Sequence, residues 1–125
     1  MMTLLGFTVP GIPASLNASY AGHWTKRDRL RRDWAEKMQV LLLDAGCRRG
    51  KPMFQNEVAV NLHYRVATRT RKQRPDLDNL APKNLIDGMI GYVFKDDSAI
   101  RLLVQSIEYD AERDETIVSV KPLGD

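Results

Sequence analysis

The stretch "VAVNLHYRV", Val58 to Val66, alternates Val58, Val60, Leu62, Tyr64 and Val66 with Ala59, Asn61, His63 and Arg65. Successive side chains leave a strand on opposite sides, so this period of two marks a strand with one buried face. A sheet is therefore the organising layer, and the rest of the chain is read outward from it. Upstream, Leu30, Trp34, Met38, Leu41 and Ala45 recur at helical spacing from Thr25 onward and Gly46 ends the run. That pattern predicts an amphipathic helix of about five turns. Before it, "ASLNASYAGH", Ala14 to His23, reads as a loop, and the apolar run Thr3 to Val9, stopped by "PGIP", reads as a first strand and turn.

Downstream, a second helix is predicted from about Asn79, with Leu80, Ile86, Met89 and Ile90 inward and Gly88 and Gly91 weakening its end. Pro82 falls in its first turn, where a missing N–H does no damage. Ile100, Leu102 and Val104 begin a strand that continues toward Tyr109. The turn "DAERDE", Asp110 to Glu115, then leads into a last strand near Thr116 to Val120, giving a terminal hairpin. The order is β-α-β-α-β-β. It predicts an α+β fold (an α/β mixed sheet) in which two helices pack on one mixed sheet.

The chain has 125 residues, 43% hydrophobic and 28% charged, which suits one folded domain spanning residues 1–125. Its single cysteine, Cys47, excludes an internal disulfide and a multi-cysteine zinc site, and agrees with a reducing cytoplasm. His23 and His63 are placed in a predicted loop and on an exposed strand face, which makes no zinc or histidine–metal nuclease motif. The N-terminal segment has no basic leader and reaches Pro10 within a few apolar residues, so neither a signal peptide nor a membrane span is expected. Nor is there a glycine-rich phosphate loop. The formal charge of +3 is modest; its distribution is more informative.

Ala67 to Pro75 contains Arg69, Arg71, Lys72 and Arg74 and no acid, and Arg65 precedes it. Such a segment cannot anchor a core, so an exposed loop is expected. The first helix also opens with Lys26 and Arg27, which belong either to a solvated face or to one that contacts phosphates. Directly after the basic loop come Asp76 and Asp78. In an extended segment these would project to one side. Two adjacent carboxylates repel each other unless a hard cation such as Mg²⁺ sits between them. Asp96 or Asp97, beyond the second helix, would close the cluster, and Lys83 near the start of that helix would stabilise charge on a phosphate or orient a water. The plainer alternatives are a helix cap at Asp78 or Asn79, an ordinary turn at Asp96 and Asp97, and an exposed helix lysine at Lys83.

The segment "RPDLDNLAPKNLIDGMIGYVFKDDSAI", Arg74 to Ile100, resembles the RusA family of Holliday junction resolvases. It shares the Asp-x-Asp-Asn-Leu hallmark, the lysine early in a helix, an "LIDG" continuation and the acidic pair before a strand; "IPASLNASY" is similar to the family's opening. The resemblance implies a homodimeric, Mg²⁺-dependent endonuclease of phage or prophage type (Mn²⁺ being possible) that nicks opposing strands of a four-way DNA junction symmetrically. Carried over, the catalytic residues are Asp76, Asp78, Asp97 and Lys83, and the metal ligands Asp76, Asp78 and Asp97 with Asp96 beside them. DNA contacts fall to Arg65, Arg69, Arg71, Lys72 and Arg74, with Lys26 and Arg27. Lys83 stands one residue later than the family pattern, with Pro82 between, a shift that turns a helical side chain by about 100 degrees. A nuclease acting on other branched DNA, and a DNA-binding protein without catalysis, are the competing expectations.

Overall fold

The computed structural model describes residues 4–14, 24–68 and 74–123. The elements are β1 (Leu5–Pro10), α1 (Trp24–Asp44), β2 (Val58–Arg65), α2 (Lys83–Met89), β3 (Ile100–Glu108) and β4 (Glu115–Pro122), with single 3₁₀ turns at Leu77–Asn79 and Asp97–Ala99. This is the predicted β-α-β-α-β-β order on one mixed sheet. The strands lie in the order β1-β4-β2-β3. β4 is antiparallel to both β1 and β2, and β2 is parallel to β3.

The expected terminal hairpin does not form. β4 is inserted between β1 and β2, while β3 takes the far side of β2. The connection after β3 is long enough to step across one strand, since neighbouring strands lie about 4.8 Å apart. It is tied down as it crosses the end of β2: Val66 N–H donates to Glu108 O, and Ala111 N–H to Val66 O. Burial explains the choice, because β2 carries Val58, Val60, Leu62 and Tyr64 at 0% exposure and Ala59 at 6%. A strand so apolar is best flanked on both edges.

Trp34, Met38 and Leu42 are the buried residues of α1, and Leu85 and Met89 those of α2. Against them stand Val9, Val118, Val120 and the inward face of β2. The buried stripe of α1 is thus narrower than the predicted one, with Leu41 half-buried and Ala45 exposed in the terminating turn. Gly46 ends α1 as expected: at φ +93, a conformation that costs glycine little, its N–H reaches Leu43 O at 3.1 Å, and Cys47 N–H reaches Leu42 O at 2.9 Å. The buried Tyr64 ring is satisfied by a bond from its hydroxyl to Gln105 Oε1 at 2.6 Å.

α2 is shorter than expected. Leu77–Asn79 form a separate 3₁₀ turn, Leu80 is extended, and the helix proper begins at Lys83 with Pro82 as its N-cap. Proline explains the break, because the residue before it is held away from the helical region. Gly88 makes a close approach rather than a weak end: a Cβ built on it would lie 2.7 Å from Met38 Cγ and 2.8 Å from Met38 Cβ. That small residue lets α2 pack on α1.

Candidate active site in the β2–β3 crossover

Val58 faces Ile100 and Arg65 faces Glu108 in the parallel register. The chain that leaves β2 after Arg65 must therefore travel the length of the strand before it can enter β3. The acidic motif, α2 and the acidic pair all lie on this crossover. Arg69, Arg71 and Lys72 belong to it too, but fall outside the described residues, as do Ser15 to His23 of the predicted N-terminal loop.

At the start of the described part, the Arg74 guanidinium lies 3.4 Å from the centre of the Tyr109 ring, and the Tyr109 hydroxyl donates to Pro75 O at 2.8 Å. Asp76 follows in extended conformation, and its carbonyl accepts from Asn79 N–H at 3.0 Å. Asp78 has already entered the 3₁₀ turn. Strict alternation therefore no longer puts the Asp76 and Asp78 side chains on one side, although both are exposed. Half-buried Leu77 and buried Leu80 pin this turn, which lies against β3.

Lys83 opens α2 and donates from Nζ to Asp87 Oδ2 at 3.0 Å, one helical turn on. Asp87 in turn acts on the acidic pair. The Asp97 carboxyl is held above its ordinary range, first by its hydrogen bond with Asp96, then by the Asp96 charge and more weakly by the charge of Asp87. Asp96 is shifted down because it accepts that hydrogen bond. The opposite shifts of the two carboxyls reflect the repulsion between adjacent like charges. Beside them opens a polar hollow of about 360 Å³ whose lining includes Asn56, Lys95, Asp96 and Ser98.

The structure therefore pairs Lys83 with Asp87 and leaves Asp97 beside Asp96, with the Asp87 charge felt only weakly at Asp97. From sequence Asp87 stands out only by its spacing of four from Lys83, the signal that links the two. Among the described residues, no three carboxylate, imidazole or thiol groups come together closely enough to hold a metal ion. The donor chemistry nonetheless fits an open site. Mg²⁺ takes one or two protein carboxylates and keeps waters, and the repulsion within the Asp96–Asp97 pair is what a hard cation relieves.

The remaining basic residues divide. Arg65 is engaged on the outer face of the sheet, at 2.5 Å from Glu115 Oε1 and 3.5 Å from Glu108 Oε2. On α1, Lys26 and Arg27 are exposed in the first turns. Their neighbours Arg31 and Arg32 are tied to Asp28 at 2.6 and 3.2 Å. No helix among the described residues is long and apolar enough to cross a membrane.

The family model described as endodeoxyribonuclease RusA matches residues 13–121 of the chain, from just beyond β1 into β4. No curated protein matches the chain in sequence.

Proposed function

The chain belongs to the RusA family of endodeoxyribonucleases, hydrolases that act on Holliday junctions, and from that premise we propose that it resolves four-way DNA junctions by paired symmetric nicks in a Mg²⁺-dependent hydrolysis. The observation that supports the site assignment is the Lys83–Asp87 ion pair at the start of α2, on the same crossover as Asp76, Asp78 and the adjacent Asp96 and Asp97. Asp76, Asp78 and Asp97 would hold the metal, with Asp96 as the neighbouring contributor. When bound, Mg²⁺ supplies Lewis acidity toward a phosphate oxygen and an activated water; Mn²⁺ suits the same oxygen donors.

This chain's own residues do the rest. Asp87 holds the Lys83 ammonium at the start of α2, where its charge would oppose negative charge developing on the phosphate. Arg74 and, on α1, Lys26 and Arg27 offer exposed cations to the DNA backbone, as would Arg69, Arg71 and Lys72. Arg65 is a weaker candidate for that role, since a phosphate would have to displace two carboxylates from it. A four-way junction has two-fold symmetry and needs two nicks, so a homodimer is the natural assembly.

The test is a nicking assay on four-way junctions with Mg²⁺ or EDTA, comparing wild type with Asp78→Asn. Paired nicks that need the metal, and a variant that still binds the junction but cuts at least about 100-fold more slowly, are the expected outcome. Full cleavage by Asp78→Asn, or cleavage unaffected by EDTA, would sink the assignment.

A further inference from the structure

We propose that Tyr109 is a positioning residue for DNA cleavage, one that presents the Arg74 guanidinium to a phosphate and fixes where the chain enters Asp76. The substrate in this inference rests on the junction-cleaving reading above; the contacts do not.

Two contacts from one side chain fall on consecutive residues. The Tyr109 ring lies under Arg74 at 3.4 Å from ring centre to guanidinium carbon, and its hydroxyl holds Pro75 O at 2.8 Å. All the N–H groups of a guanidinium lie in its plane, so stacking uses the face and leaves the edge donors for a phosphate. Arg74 is exposed, as that role requires. Pro75 then transmits the constraint, because a proline fixes its own φ and restricts the residue before it. Asp76 is the next residue in the chain.

Tyr109 is itself held firmly. Asp110, immediately after it, adopts φ +59, rare for a residue with a side chain. The Asp110 N–H donates to Thr68 Oγ1 at 3.2 Å, and the Thr68 hydroxyl donates back to the Asp110 carboxylate. Ala67 N–H donates to Asp114 Oδ1 at 2.9 Å. The turn after β3 is thus locked to the end of β2, and Tyr109 carries that rigidity to Arg74 and Pro75. A tyrosine that only covered the core would not need its hydroxyl on this backbone or an exposed arginine on its face.

Tyr109→Leu, Tyr109→Phe, Arg74→Ala and the Arg74→Ala/Tyr109→Leu double variant would be compared with wild type, after circular dichroism has shown each to be folded. The readouts are junction affinity as a function of salt and single-turnover cleavage at saturating enzyme. Tyr109→Leu is expected to weaken binding about tenfold and to flatten the plot of log affinity against log salt by about one phosphate contact, as Arg74→Ala does. The double variant should be no worse than either single one, because both remove the same contact. Tyr109→Phe keeps the stack, so it should retain affinity and slope while cutting several-fold more slowly at saturation. A Tyr109→Leu slope equal to wild type, or additive losses in the double variant, would overturn the proposal. If the wild type binds junctions without cutting them, the cleavage reading falls and the slopes alone decide the role of Tyr109. Absence of DNA binding in the wild type would overturn both.

Discussion

Glu108, the last residue of β3, joins β2 to β3 through side chains on the outer face of the sheet. Its Oε1 meets His63 Nε2 at 3.0 Å and its Oε2 meets Arg65 Nε at 3.5 Å. His63 Nδ1 meets Ser106 Oγ at 2.6 Å, so the neutral ring can accept there and donate to Glu108. The hydrogen bond from His63 draws the Glu108 carboxyl below its ordinary range, with the Arg65 and His63 charges adding to the effect. A carboxylate whose pKa is depressed in the fold contributes stability above its unfolded value, and that contribution is lost as pH falls through the folded value. The group is exposed, so the contribution is small. The unfolding temperature of wild type should therefore exceed that of Glu108→Gln at neutral pH, and the two should converge as pH falls through the acid side of 4.5, the ordinary value for this group. A gap that does not narrow on acidification would refute the account. Arg65 belongs to this brace, which is why a strand-face arginine that reads from sequence as a phosphate contact is found between two carboxylates.

At the level of elements, the α1–α2 contact turns on Gly88. A methyl group there would meet Met38 near its backbone, where the side chain cannot swing aside, and Met38 has 0% exposure. Gly88→Ala should therefore destabilise the fold by about 1–2 kcal/mol, the overpacking cost outweighing the better helix propensity of alanine. Thermal unfolding would show a drop of roughly 5 °C. On a Met38→Ala background the same substitution should cost less, because the Cγ contact is gone and only the 2.8 Å approach to Cβ remains, and an equal loss on both backgrounds would place the effect elsewhere. The glycine of "LIDG" shows what one sequence can and cannot disclose. Periodicity alone made β2, α1 and β4 legible, because burial of one face acts on every second or every third and fourth residue, whereas β3 was read from apolar residues that have no buried face. Gly88 gave only a local propensity signal, whose reason lies in Met38, fifty residues away. The hairpin expectation failed for the same cause: turn chemistry is local, whereas the insertion of β4 beside β2 is decided by how much apolar surface β2 must cover. At the site, Asp76, Asp78, Lys83 and the acidic pair could be picked out by type and spacing. The roles of Asp87 and Tyr109 depend on contacts made only after folding.

For the whole molecule, the parallel β2–β3 register places a single crossover, and with it one set of motif carboxylates, on each protomer. One protomer therefore has the means for one nick at a time. Resolution of a junction needs two, on opposed strands, before the substrate changes. A supercoiled circular DNA that extrudes a four-way cruciform separates the cases, since the first nick relaxes the circle and removes the driving force that holds the junction open. Two sites acting within one binding lifetime convert such a circle to linear DNA with little nicked circle accumulating. A lone protomer leaves nicked circles that are not cut again. The expected outcome is linear product at concentrations where sedimentation finds a dimer, giving way to nicked circles on dilution to monomer. With the proposed phosphate contacts, both activities should weaken with salt, and replacing Arg69, Arg71 and Lys72 together should flatten the salt dependence of binding by roughly 2 to 3 in log–log slope. Linear product from a chain that sediments as a monomer would break the link between the single crossover of each protomer and the need for two copies.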